Sequence, residues 1–461
     1  MNPTVALAMP RDWLARAGEA LRRHRPAILA VQWVVVLFYL ALVTVPAFLP
    51  LPPSGATILS NLTLFAHFAF WGLWWPFVML SVMLVGRVWC GVLCPEGALT
   101  EWASRRGLGR AIPRWMRWSG WPFFAFACTT TYGQLVSVYE YPKAALLVLG
   151  GSTAAAVGIG FVYGRGKRIW CRHLCPANCV FALLSRIAPV HFALDEEAWK
   201  RHPSRAPSVD CAPLVDLRHM RSAGACHACG RCSGYREAIY LAARSPNREI
   251  LAATPRDVTN AEALLLLFGV LGLALGAFHW TVSPWFIAAK QRAAAWLVER
   301  EWYGVLQDDA PWWLLTYYPE ANDVFTWLDG ALVVGYLLAS AIVVGGIAWC
   351  SLAGAARLVR DAHVNWRVLA LCLVPLAGAS VFLGLSMLTL VQLRAEGVVF
   401  AWVPAARAAL LTCGIAWSLW LGSRRLLAAR ARLARRAVSL LCYGISPALV
   451  ATLWYLPWRV W

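Results

Sequence analysis

Nine of the fourteen cysteines in this 461-residue chain fall in short clusters outside its apolar runs, and their spacing limits the chemistry they can do. The tightest cluster is "CHACGRC", with Cys226, Cys229 and Cys232 two residues apart and Gly230 loosening the turn between them. Three thiolates at that spacing can each take a separate iron at one corner of a cubane, while backbone N–H groups point at the inorganic sulfides. A bacterial ferredoxin run continues with three residues and a Cys-Pro; here position 236 is Arg236, so a fourth sulfur must come from elsewhere.

Remote Cys-Pro pairs are available in a repeat. "VWCGVLCPEGALTEWASR" at 88–105 and "IWCRHLCPANCVFALLSR" at 169–186 align at an offset of 81, pairing Cys90 with Cys171, Cys94 with Cys175 and Pro95 with Pro176. A Cys-x3-Cys pair alone only places two thiols on one helix face. Duplicated, and each followed by Pro, the pairs read as ligands delivered twice to one surface, and a Cys-Pro sulfur is expected to complete the triplet. Zinc is the competing metal, but four-cysteine zinc sites are built from two separated Cys-x2-Cys knuckles.

The elements that position these cysteines are membrane helices. A chain that is 60% hydrophobic, with 27 Trp and 14% charged residues, is not a soluble protein. About 20 apolar residues are needed to cross ~30 Å of hydrocarbon. Nine runs qualify, at roughly 27–50, 58–86, 117–138, 144–164, 261–288, 324–350, 368–392, 400–421 and 438–457. The expected fold is therefore an all-α integral membrane protein of about nine transmembrane helices with a cytoplasmic, ferredoxin-like [4Fe-4S] region. With the N-terminus inside, 35 of the 42 Lys and Arg lie in inner segments, as cytoplasmic connections favour. The net charge of +19 thus describes collars facing anionic membrane lipid, and no nucleic-acid role is expected. The first apolar run is too long for a cleaved signal peptide.

Four regions follow. Residues 1–26 form a basic cytoplasmic N-terminus, 27–164 two transmembrane hairpins carrying the first Cys-x3-Cys-Pro motif, 165–260 a cytoplasmic iron–sulfur region, and 261–461 five further membrane helices. Cys128, Cys350, Cys372, Cys413 and Cys442 lie in or at the ends of membrane helices, where a lone Cys acts as a small hydrophobe. The nine others, including Cys179 and Cys211, belong to a reducing compartment in which clustered cysteines ligate metals or do redox chemistry. No phosphate loop, GxGxxG, HExxH or nucleophile with its base is present, so an electron-transfer component is expected rather than a substrate-transforming enzyme. His67 and His279 stand one in each of two helices; polar contacts account for them, and haem is disfavoured. The Trp- and Tyr-rich outer loop 289–323 reads as interfacial belt.

"GRVWCGVLCPEGALTEW", "RIWCRHLCPANCVFALLSRIAPV" and "CHACGRC" together resemble the polyferredoxin-like membrane iron–sulfur proteins of the NapH, NosR and CcoG type, over about residues 60–240. The resemblance implies a bacterial inner-membrane protein with two [4Fe-4S] clusters at the cytoplasmic face. Two clusters need eight sulfurs, which Cys90, Cys94, Cys171, Cys175, Cys211, Cys226, Cys229 and Cys232 supply; Cys179 and Cys211 can exchange places in this count, and Cys211 is favoured because it shares the polar insertion with the triplet. "SGAT" at 54–57 resembles the site at which FMN is joined through Thr in NosR-like and NqrB-like proteins, which would make Thr57 the attachment residue, with a helix-opening turn as the alternative. The function implied is relay of electrons from a cytoplasmic or quinol donor to a respiratory or periplasmic acceptor, with a redox partner protein or quinone as partner. The alternative is a redox sensor or an accessory protein that reduces metal or assists maturation of another complex.

Overall fold

A computed structural model describes residues 11–53, 55–201, 209–220 and 222–459. Among them, eight helices are long and apolar enough to cross a membrane: α2 (Arg25–Phe48), α3 (Leu62–Val85), α6 (Pro142–Tyr163), α9 (Asn260–Val282), α11 (Trp327–Val359), α12 (Val374–Ala395), α13 (Val403–Ala428) and α14 (Leu433–Trp458). Their starts follow local chemistry. Pro stands in the first turn of α2 and α6, the Asn61 carboxamide oxygen accepts from the Thr63 and Leu64 amides at the head of α3, and Thr259 with Glu262 and Thr326 with Asp329 form capping boxes on α9 and α11.

The remaining apolar run, 117–138, gives a shorter helix, α5 (Trp121–Leu135), of 15 residues, or roughly 22 Å at 1.5 Å per residue. The Pro122 carbonyl accepts from the Cys179 thiol near the cysteine-bearing end of the bundle. At its other terminus the Leu135 carbonyl accepts from the Thr316 amide in the loop before α11. Helix α5 therefore runs between the two ends of the bundle although it is shorter than the eight. The run 261–288 is also divided: α9 stops at Val282, and Ser283 caps a separate helix, α10 (Pro284–Glu299), begun by Pro284.

At the cysteine end, each repeat phrase follows an apolar span. The first leads into α4 (Pro95–Arg105) and the second, through the short α7 (Ile169–His173), into α8 (Pro176–Ile187). A two-stranded antiparallel sheet, β1 (Val190–Leu194) with β2 (Ile239–Ala243), pairs Phe192 with Leu241 and brackets the polar segment that carries the triplet. Helix α1 (Arg11–Arg23) covers that sheet: Leu14 joins Phe192, Ile239, Leu241 and Cys232 in one buried cluster. The C-terminal helices are fastened to the same end, where Arg425 donates to the Ile250 carbonyl and Trp417 donates to the Asn247 side chain.

Candidate metal centre

The two repeat phrases break their helices in the same way. Cys94 (φ −61°, ψ 118°) and Cys175 (φ −57°, ψ 121°) are extended residues at helix N-caps, each followed by Pro at the first helical position. Their sulfurs therefore sit at helix N-termini, where backbone N–H groups and the helix dipole favour negative charge. The Gly97 amide donates to Cys94 Sγ at 3.4 Å, the Ala228 amide to Cys226 Sγ at 3.3 Å and the Val215 amide to Cys211 Sγ at 3.4 Å.

Eight thiols fall into two sets by which charges act on one another. Cys90, Cys94, Cys171 and Cys175 form the first; burial pushes the Cys94, Cys171 and Cys175 thiols up, Cys171 to about 12, and the neighbouring thiolates of the set and Glu96 push the same way. Cys211, Cys226, Cys229 and Cys232 form the second; burial again leads, holding Cys226 up at about 12, and the facing thiolates of Cys229 and Cys211 follow. Cys211, and no Cys-Pro thiol, is among the charges felt at Cys226 and Cys232, for a local reason. Residues 211–212 are tied to the second repeat phrase, with the Arg168 amide donating to the Ala212 carbonyl at 2.8 Å and Lys167 Nζ to the Cys211 carbonyl at 3.3 Å. That tether carries Cys211 to the triplet and leaves the four repeat sulfurs together. Cys179 turns instead toward α5, donating to the Pro122 and Pro176 carbonyls.

Among the described residues, no three Cys, His, Asp or Glu side chains converge on a single ion. The thiols of each set are near enough to oppose one another's ionisation. That suits a cubane, in which each of four irons takes its own sulfur.

The surroundings supply positive charge. Arg87 and Arg168 occupy equivalent positions of the repeat and are both buried. Arg87 donates to the Gly224 carbonyl at 2.6 Å, to Asn178 and to His227 Nε2, and reaches Cys90 Sγ at 3.8 Å. Arg168 donates to the Cys90 carbonyl and pairs with Glu101 at 2.9 Å. Burial would raise the Glu101 carboxyl, but Arg168 and Arg231 outweigh it and hold it down at about 2. Arg87 Nε, Arg168 Nη2, Arg231 Nη1 and His227 Nδ1 are buried polar atoms with no hydrogen-bond partner. Such orphans cost about 1–3 kcal/mol each unless satisfied, and two anionic clusters held by these thiolates would satisfy them. The residues present fit the group.

The two sets touch. A Cβ at Gly91, beside Cys90, would lie 2.2 Å from the His227 carbonyl oxygen and 2.7 Å from the Cys229 amide nitrogen, so only glycine permits this approach. All four sulfur-bearing residues of the first set, with His227 of the triplet loop, line the cysteine end of a cavity of about 250 Å³ that continues into the bundle past Trp71, Trp74, Trp75 and Tyr139. Three wall helices carry π-helical turns at this level, over Phe68–Trp74, Leu146–Gly150 and Leu265–Leu273. Such turns cluster at functional sites because they widen a helix locally. Glu96 stands at the cysteine end of the cavity, accepting from Ser152 Oγ at 2.6 Å and Trp170 Nε1 at 3.0 Å.

Other residues singled out by the sequence lie elsewhere. Thr57 is exposed at the opposite end of the bundle, its hydroxyl donating to Ser60 Oγ within a turn, and α3 is capped by Asn61 rather than by the "SGAT" stretch, of which Ser54 lies outside the described residues. His67 is buried in α3, and His279 packs edge-on against Trp454 in the C-terminal half.

Two stretches of the chain, residues 68–117 and 148–194, match the family model described as 4Fe-4S binding domain. Each contains one Cys-x3-Cys-Pro phrase; the triplet lies outside both. The chain is also 24% identical over 236 residues to the "Putative electron transport protein YccM" of Escherichia coli (strain K12), across 44% of this chain and 64% of that protein, so it spans somewhat less than two thirds of the relative's length. No solved structure matches. The chain thus combines eight helices long and apolar enough to cross a membrane with two stretches similar to a 4Fe-4S binding domain and a partial likeness to an electron transport protein.

Arg87, Arg168, Glu101 and Gly91 are the residues that sequence reading missed. The first two carried a signal, since they share the 81-residue offset one position ahead of the aligned phrases. Glu101 carried none, because its repeat equivalent is Ala182.

Proposed function

We propose that the protein relays electrons between a lipid-soluble quinone held inside the bundle and a partner redox protein, through two [4Fe-4S] clusters at the cytoplasmic end, in service of a respiratory or periplasmic acceptor. Cys90, Cys94, Cys171 and Cys175 would hold one cluster and Cys211, Cys226, Cys229 and Cys232 the other. Clusters there would supply one-electron transfer, which lets a two-electron quinone serve single-electron partners.

The observation that carries this reading is the cavity. It joins the first cysteine set to the apolar interior: a cluster on Cys90, Cys94, Cys171 and Cys175 would take its cysteine end, and the aromatic remainder beside Trp71, Trp74, Trp75 and Tyr139 would hold an apolar ring next to it. Its walls are mainly aromatic and aliphatic, as ligand sites generally are. The Trp75 indole N–H is a buried donor with no partner, placed to receive a ring carbonyl. What the chain's own residues do here is bind and orient: Trp71, Trp74 and Trp75 flank a planar ring, Trp75 donates to it, and the packed helices exclude water.

The test uses full-length protein purified without oxygen. It should contain about eight irons, as two four-iron clusters require. Cys211→Ala should retain about half of them, and Cys179→Ala all of them. A short-chain quinol should bleach the visible absorption of the wild type, and Trp75→Phe should weaken its binding about fivefold, the worth of one neutral hydrogen bond. Full iron content with no quinol binding would refute the quinone. Stoichiometric zinc without visible absorption would refute the relay itself.

A further inference from the structure

A second cleft lies where α1 meets α2, on the side of the cysteine end away from the large cavity. Its lining includes Arg22, Arg25, Arg105 and Arg231 above, and Ile28 and Leu29 below. Its volume is about 70 Å³, room for one tetrahedral anion and not for a whole headgroup. The charge in it is unbalanced. Glu101 is the carboxylate that Arg25, Arg105 and Arg231 all reach, at 3.6, 3.0 and 2.5 Å, and it is already paired with Arg168. Arg231 also meets Asp210 at 3.8 Å, but two carboxylates cannot compensate four guanidiniums. Arg168 is spent on the cysteine sets, but Arg25 and Arg105 keep 43% and 48% side-chain exposure and Arg22 is exposed beside them.

The lower half of the cleft belongs to a different solvent. Ile28 and Leu29 sit one turn into α2, whose Val34, Leu37 and Phe38 are exposed further down as an apolar face. Trp102, exposed at 43%, stands edge-on to Trp33 of α2 and carries Arg106 over its ring, the arrangement of a residue at the membrane–water boundary. Guanidiniums over an aliphatic track at this level match a molecule with a phosphate at one end and a chain at the other. A soluble phosphate would use the upper half only, and an acidic protein would have no use for the lower half.

We propose that this cleft binds the phosphate of an anionic phospholipid, gripped by Arg22, Arg25 and Arg105, with an acyl chain running down α2 past Ile28 and Leu29. The inference depends on the membrane placement of α2 and not on the quinone. Because Cys229 and Gly91 line the same cleft, the lipid would also seat the contact between the two cysteine sets against the membrane surface.

The test is native mass spectrometry of the full-length protein released from nanodiscs, with iron content measured in parallel. The wild type should retain one phosphatidylglycerol in preference to phosphatidylcholine. Arg22→Gln with Arg105→Gln should weaken retention about tenfold or more, at roughly the worth of two basic side chains near an anionic surface, and Arg22→Lys with Arg105→Lys should restore most of it. Leu29→Gln should weaken it while leaving the guanidiniums in place. Unchanged retention in the double Gln variant with normal iron would overturn the site. Equal retention of phosphatidylcholine, or displacement by millimolar inorganic phosphate or by an acidic electron-carrier protein, would overturn the lipid as its occupant.

Discussion

Glu101 is the residue on which the cysteine end is most dependent, because it neutralises buried Arg168 and is reached by three further guanidiniums. Removing one partner of a buried ion pair costs about 3–5 kcal/mol, since the remaining charge is stranded. Glu101→Gln should therefore lower stability by about that amount, measured as earlier loss of visible absorption on heating, while Arg23→Gln, at an exposed i,i+4 pair with Glu19, should change little. The pH dependence has a definite sign. The folded carboxyl is held at about 2, below the ordinary value of about 4.3. Its contribution is complete above about pH 4.5 and is lost as pH falls toward 2. Acid titration should thus show a destabilising step in the wild type that is missing in Glu101→Gln; an identical profile in both would separate Glu101 from acid stability. The cysteines gathered at this end stood out in the sequence by their spacing and by the repeat. Glu101 was not legible, since a charge partner is chosen by three-dimensional packing and leaves no interval in the sequence.

Helices long enough to span were legible as continuous apolar runs, because lipid forces every backbone polar group to be satisfied within its own segment. Their ends were less so: α5 is cut short by the turn that includes Ser137 at φ 50°, and α9 is parted from α10 at Pro284. Helix α1 was hidden for a different reason. Composition marks residues 1–26 only as basic, and the face formed by Leu14, Gly18 and Leu21 acquires meaning only once β2 and the triplet loop lie against it. A Cβ at Gly18 would meet Ser233 Oγ at 3.0 Å and Leu241 Cβ at 3.1 Å, and one at Gly230 would meet Leu21 Cβ at 2.5 Å, so α1 is fitted closely to both. Leu14→Ala should cost about 2–5 kcal/mol of local stability, as large-to-small changes in a packed core do. Hydrogen exchange should quicken at Ile239–Ala243 and at 226–232, with α11 to α14 unaffected. Unchanged exchange at β2 would mean that α1 rests on the sheet without supporting it.

Across the whole molecule, charge and architecture divide along the same axis. Among the described residues, the segments at the cysteine end hold most of the Lys and Arg. The opposite end carries Tyr141 stacked on Tyr318 at 3.5 Å, Tyr141 OH donating to Asp323, and a loop with exposed Trp302, Trp312 and Trp313. Basic connections are retained in the cytoplasm during insertion, so the cysteine end should face the cytoplasm and the Tyr–Trp end the periplasm. A fusion after residue 305, in the loop between α10 and α11, should make alkaline phosphatase active, and one after residue 362, between α11 and α12, should leave it inactive. Both sites are informative because α11, with 33 residues, is the longest span and separates them. The reverse pair of results would invert the protein, place the thiols in an oxidising compartment and favour disulfides over clusters. The expected pair places the cysteine sets where reduced carriers are available, with the aromatic cavity between them and the opposite side.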